Sequence, residues 1–168
     1  MASNIQPIKV AYIMGGWGDQ PQQLWPEGAS QSFKIGAPLS FSSGKLIITA
    51  NVLTPSIAGI ALSNASGTST TEATANIQTV VPLASVVFAV SCDTTTTSGT
   101  AALGTGKPTD FNVGGTYQLL EDSTSGNYYV GTGTSNAVFQ IVGYDPTLAS
   151  TINGPVYARI LTSVTIWT

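Results

Sequence analysis

The side chains that most often carry chemistry are scarce in this chain of 168 residues, and histidine is missing altogether. Without an imidazole neither a Ser-His-Asp nor a Cys-His arrangement can be assembled, and most zinc sites are excluded with them. Ser42 and Lys45 have the spacing that puts a serine nucleophile near a lysine base on a helix, but Gly44 and the strand-forming neighbours make the segment a hairpin turn. Gly99 to Lys107 resembles a phosphate loop. Its gap before Gly106 is too long, however, and Pro108 stands where a Ser or Thr would hold magnesium. Glu121 and Asp122 are neighbours, so in a strand they would face opposite sides and could not flank one sugar ring; a solvated turn is expected instead. No acidic loop has calcium-ligand spacing. Cys92 is the single cysteine, cannot form an internal disulfide, and reads as a small buried apolar residue. The expectation is a protein with no catalytic residues, no cofactor and no metal.

Binding groups are easier to find. Trp17 and Trp25 lie in a Gly- and Pro-rich segment, with Gln22 and Leu24 between them. Exposed Trp residues on a weakly charged protein are good anchors for a partner's pockets, which makes Trp17, Gln22, Leu24 and Trp25 the candidate contact residues. The same tryptophans could instead fold back and plug the open end of their own sheet. Asn127, Tyr128 and Tyr129 are candidates for a sugar site, although adjacent strand residues point to opposite faces and only one tyrosine could line it.

The elements that must hold these groups read as strands. Ile8 to Met14 alternates as a half-buried strand does, and then Gly15 to Ser30 shows neither a period of two nor one of 3.6, which reads as an extended arm. Residues 1–30 are therefore taken as strand plus arm and 31–168 as the β-domain. On that reading, deleting residues 1–30 would abolish partner binding and leave the domain folded. Phe33, Ile35, Leu39 and Phe41 read as one strand interrupted at Gly36 to Pro38, Ser42 to Lys45 form a tight turn, and Leu46 to Thr49 return, which makes a hairpin. The small residues Ala58, Gly59 and Ala61 would let another backbone come close, as in a compact barrel. Asp93 to Gly106, almost all Thr, Ser, Gly and Ala, is the expected boundary between sub-lobes. Asp145 and Pro146 suit the start of one short helical turn. Val156 to Trp167 reads as one long closing strand that ties the two halves together. No window carries a helical apolar stripe, so the fold class is all-β: a small β-barrel or β-sandwich with an extended N-terminal arm.

Composition limits the partners. Charged residues make up 8% of the chain, far below the roughly 25% of ordinary domains, so little charge repulsion opposes assembly. The net charge is -3 and the five basic residues are scattered, which excludes a phosphate-neutralising stripe and so nucleic acid as a partner. The longest apolar run, Val80 to Val90, is broken by Pro82 and Ser85, and residues 1–9 lack the features of a signal peptide. A soluble chain made in the cytoplasm, with no membrane partner, is expected; the acceptor-like Asn64 to Ser66 then has no consequence.

Several segments resemble the β-barrel decoration, or cement, proteins of tailed-bacteriophage heads. They are Phe33-Lys34-Ile35-Gly36-Ala37-Pro38-Leu39, Ser43-Gly44-Lys45-Leu46, Ile57 to Ser63, Val80 to Leu83, Phe139 to Asp145 and the closing strand from Val156. The resemblance covers most of the chain and rests on structural patterns of small and branched residues. It implies a virion protein on the outer capsid surface, a homo-oligomer with a trimer favoured, that bridges subunits of the major capsid protein. It implies no catalytic residues. Two alternatives remain, a carbohydrate-binding head-fibre or lectin-like module and a tail or neck structural component.

Overall fold

The fold is seen in a computed structural model that describes residues 5–14, 20–49, 56–66, 76–96, 100–101 and 103–166. It is all-β, with no helix of seven residues or more among the described residues. The strands in chain order are β1 (Lys9–Ile13), β2 (Gln22–Pro26), β3 (Pro38–Ser42), β4 (Lys45–Ile48), β5 (Gly59–Ala61), β6 (Asn76–Val80), β7 (Val86–Asp93), β8 (Thr100–Ala101), β9 (Thr116–Asp122), β10 (Tyr128–Gly131), β11 (Phe139–Tyr144) and β12 (Pro155–Ile160).

Strands β7, β10, β9, β11 and β12 form a closed five-strand barrel, because β12 returns to pair with β7. Every pairing is antiparallel except β7 with β10, where Cys92 lies beside Val130. Strands β2, β6, β5, β3 and β4 form the second sheet. Just past the end of β2, Glu27 makes a parallel bridge to Leu46 in β4, and the Gly28 N–H donates to the Leu46 carbonyl at 2.8 Å. That bridge brings the two ends of the sheet together, so it too forms a ring.

The two rings have the same topology. In each, the first strand lies parallel to the third and antiparallel to the fifth, and the second lies between the third and the fourth. The registers agree residue by residue. Leu39 faces Gly59 as Tyr117 faces Phe139, Phe41 faces Leu46 as Leu119 faces Val130, and Trp25 faces Ile77 as Val90 faces Val156. Glu27 on Leu46 corresponds to Cys92 on Val130.

The lead-in to the second strand of each ring repeats at the level of single hydrogen bonds. Phe33-Lys34-Ile35-Gly36-Ala37 and Phe111-Asn112-Val113-Gly114-Gly115 both bury the phenylalanine and turn through a glycine with positive φ, +82° and +85°. The Gly36 N–H donates to Ala61 as that of Gly114 donates to Ile141, both at 2.8 Å. The Ala37 N–H donates to Lys34 at 3.0 Å as that of Gly115 donates to Asn112 at 2.9 Å. One five-strand unit is therefore used twice, and residues 81–85 connect the copies. A single buried cluster runs through both, from Leu39, Leu46 and Ile77 to Phe88, Val130 and Ile141.

The all-β expectation is met, as are several local ones. Ser43 and Gly44 form the expected tight turn, both with positive φ. Gly59 admits its neighbour closely, since a Cβ there would lie 2.7 Å from that of Thr79. Asp145 caps the short 3-10 turn Pro146–Leu148, accepting from the Thr147 N–H at 2.8 Å.

Other expectations need revision. Gln22–Pro26 does not extend as an arm but supplies the first strand of a ring, where the β6 ladder satisfies its inward-facing amides and Trp25 packs on the core. Ile5 and Ile8 are buried as well, so a chain lacking residues 1–30 would lose part of its core rather than a dispensable tail. The Asp93 to Gly106 stretch lies inside the second ring, between β7 and β9, so the change of ring falls earlier. The closing strand is also shorter: it ends at Ile160, and a 3-10 turn at Thr162–Val164 redirects the chain. Thr165 then bridges to Ile57, whose N–H donates to the Val164 carbonyl at 2.7 Å. The C-terminal segment joins the two rings by this route, where a straight strand would have run past the first ring.

Gly36 and Gly114 occupy equivalent left-handed positions, but a Cβ on Gly36 would meet the Ile8 backbone nitrogen at 2.6 Å whereas one on Gly114 meets nothing within 4 Å. Gly114→Ala should therefore cost only the left-handed strain, about 1–2 kcal/mol. Gly36→Ala should cost at least twice as much by urea denaturation, and equal losses would contradict the close seat of Ile8 on that turn.

Candidate binding site

The residues singled out from sequence separate once β2 is built. Alternation along the strand turns Trp25 inward, where it meets Phe41 edge to face with ring centroids 4.8 Å apart. Leu24 turns outward and is 62% exposed, and Gln22 is exposed beside it, accepting from the Gln78 side-chain amide. Trp25 thus folds over its own barrel, while Leu24 and Gln22 remain available to a partner. Trp17 lies outside the described residues.

A second accessible feature was not legible in the sequence. Strand β1 pairs along one edge of β7, and β12 along the other. The loop after Pro146–Leu148 stands over them and leaves a groove of about 710 Å³. Its floor includes Ala89, Ser91 and Tyr157, with Tyr12, Leu148 and Ile152 around it. The three wall residues are exposed apolar side chains, and Tyr12 meets Tyr157 edge on at 5.8 Å. Among the described residues, Lys9 is the one charged residue lining it. Leu148 and Ile152 gave a weak signal, being two large aliphatics in a loop otherwise rich in small and polar residues.

Asp93 holds the loop in place. This buried carboxylate accepts from the Thr95 N–H at 2.9 Å, the Gly104 N–H at 3.0 Å and the Asn153 side-chain amide at 2.6 Å. Asn153 adds a bond from its backbone N–H to the Gly106 carbonyl at 2.7 Å and adopts positive φ, an uncommon conformation that asparagine tolerates well. The Ser- and Thr-rich stretch after Asp93 is thereby pinned at its root.

The remaining candidates are structural. Asp122 was expected to be solvated but is buried, because the turn that follows converges on it: the Thr124 and Ser125 N–H groups donate at 3.2 and 2.9 Å. Burial and the neighbouring Asp122 raise the Glu121 carboxyl above its ordinary pKa. Tyr128 and Tyr129 do face opposite sides, in separate buried clusters, and both are buried, so neither offers a sugar-stacking face. Cys92 is fully buried, and desolvation together with Asp110 and Asp93 pushes its thiol up to about 12. Among the described residues no group of three or more metal-ligating side chains comes together.

Two outcomes follow from this geometry. With its pKa so far above neutrality, Cys92 should stay unlabelled by a thiol reagent at pH 8 in the native protein and react fully in denaturant; stoichiometric native labelling would contradict the burial. Asp93→Ala strands several buried donors and should lower stability by about 3 kcal/mol, read as a shift in the denaturation midpoint, with an unchanged midpoint counting against the anchoring role. In comparisons with known proteins, no family model, no curated protein and no solved structure matches this chain.

Proposed function

We propose that this chain is a non-enzymatic decoration protein that binds the outer surface of a phage capsid and reinforces the expanded shell by bridging major capsid subunits, working as a homo-oligomer. The observation that carries the reading is the character of the accessible features. Among the described residues, the groove beside β1 and the outer face of β2 offer apolar side chains with Lys9 as the one charged group, and no titratable constellation is placed there for bond making or breaking. Such surfaces suit adhesion to a polypeptide. The resemblance of the segments from Phe33 to Trp167 to head decoration proteins points the same way.

The physical mechanism is linkage. A ligand that binds only the expanded lattice stabilises that state by its own binding free energy, and many copies acting together make modest contacts sufficient. Burial of Tyr128 and Tyr129 weakens the carbohydrate-binding alternative, since these were its proposed stacking groups.

The test is co-sedimentation of the purified protein with empty capsids before and after expansion, followed by electron microscopy of virions. Saturable binding to expanded shells alone, with density on the head, is the expected result. Binding to neither form, or density confined to the tail or neck, would overturn the assignment.

A further inference from the structure

The repeated ring exposes a difference between its two copies that has a functional reading. On β2, the Val81 N–H donates to the Pro21 carbonyl at 2.8 Å, so the backbone groups of odd-numbered residues turn toward β6 and those of Gln22 and Leu24 turn away. Among the described residues nothing pairs with that outer edge. The equivalent residues of the second ring are Val87 and Ala89. There the edge is filled: β1 pairs along it, Lys9 opposite Ala89 and Tyr12 opposite Val87, and the Met14 N–H donates to the Ser85 carbonyl at 2.8 Å.

Burial follows the pairing. Val87 is 0% and Ala89 8% exposed, whereas Gln22 is exposed and Leu24 is 62% exposed. The free stretch is bounded alike in both rings, since β4 takes the same edge at Glu27 as β10 does at Cys92. Room for one more strand is therefore built into the unit, and among the described residues only the second ring fills it from its own chain.

We propose that the outer edge of β2 at Gln22–Leu24 is a strand-acceptor site for an extended segment of a partner polypeptide, which docks antiparallel to β2 as β1 docks on β7. No charged side chain flanks the site on β2, so the segment it fits is uncharged and places an apolar side chain beside Leu24. Gln78 occupies the position that Tyr157 holds beneath Tyr12 in the second ring, and so contributes to the floor. Pro26 has no N–H to donate and limits the pairing to the residues before it. A second copy does not donate its own β1, which is fastened by the buried Ile5 and Ile8 on either side of its lead-in. The site is defined by backbone geometry and does not depend on the capsid assignment.

The probe is a synthetic peptide with the sequence of residues 5–14 carrying Lys9→Leu and blocked ends, so that it is uncharged and apolar opposite Leu24, added to the full-length protein while backbone amide exchange is followed by NMR. At saturation the Gln22 and Leu24 amides should exchange at least roughly tenfold more slowly, while those of Gln23 and Trp25, already paired with β6, stay unchanged. Leu24→Pro should abolish the effect, and Leu24→Ala, which keeps the amide, should retain it. Should the proline variant misfold, a nitroxide on a peptide carrying Lys9→Cys gives an independent reading: it should broaden Leu24 and Gln78 and spare Ala89. No slowing at Gln22 and Leu24, broadening at Ala89 instead, or slowing produced by raising protein concentration without peptide would overturn the proposal, the last by assigning the edge to self-pairing.

Discussion

A strand edge presents a row of backbone donors and acceptors that must find partners, and closure of a five-strand ring is how each half of this chain provides them. In both halves closure depends on the parallel contact between the first and third strands, at Glu27 and Leu46 and again at Cys92 and Val130. A parallel contact cannot be made by a tight hairpin, so the chain must leave the first strand and travel before it returns as the third. The intervening lead-in, with its buried phenylalanine and left-handed glycine, aims the second strand so that the hairpin following it delivers the third against the first. Gly36 and Gly114 matter for this reason, and their hydrogen-bond partners coincide across the two halves.

The identity of the residue at the parallel contact is much less constrained than its place. Glu27 and Cys92 share almost nothing chemically, yet both are buried at the same point of the ring. Glu27 satisfies its carboxylate with the Ser66 N–H at 3.0 Å, and Cys92 fills its site as a small apolar group with its thiol held neutral. Next along the chain, Gly28 in one ring stands where Asp93 stands in the other. At the glycine a Cβ would lie 2.8 Å from the Ile47 side chain, so the position admits no side chain, whereas the aspartate gathers the donors that fix the loops over the groove. Function diverges between the copies at such positions, on a backbone scheme that does not change.

The same logic explains why the binding surfaces lie where they do. Interior positions of both rings are occupied by the shared core, and the groove and the exposed Leu24 both lie along the first strand of a ring. The second ring covers that face with β1 and the loop after Asp145, which makes a groove; the first ring leaves it open at Leu24. A weakly charged surface of this kind makes few demands on the ionic character of a partner and many on its shape and backbone.

The sequence by itself determined the β class, the Ser43-Gly44 turn, the close approach at Gly59, the Asp145 cap and the lack of imidazole chemistry, because each depends on residues near one another in the chain. Tertiary structure decided the rest. Gln22–Pro26 carries two prolines nearby and no clean alternation, so its place in a ring is dictated by β6, more than fifty residues away. Asp122 looked like a solvated acid and Asp93 like the start of a boundary between sub-lobes, and only the convergence of distant or folded-back donors makes them buried anchors. The repeat was also faintly present in the two Phe-x-Ile/Val-Gly segments, yet five-residue similarity carries no weight until the hydrogen bonds around both are seen to coincide. Local propensity is written in the order of residues, whereas edge pairing is a long-range choice that only the closed rings reveal.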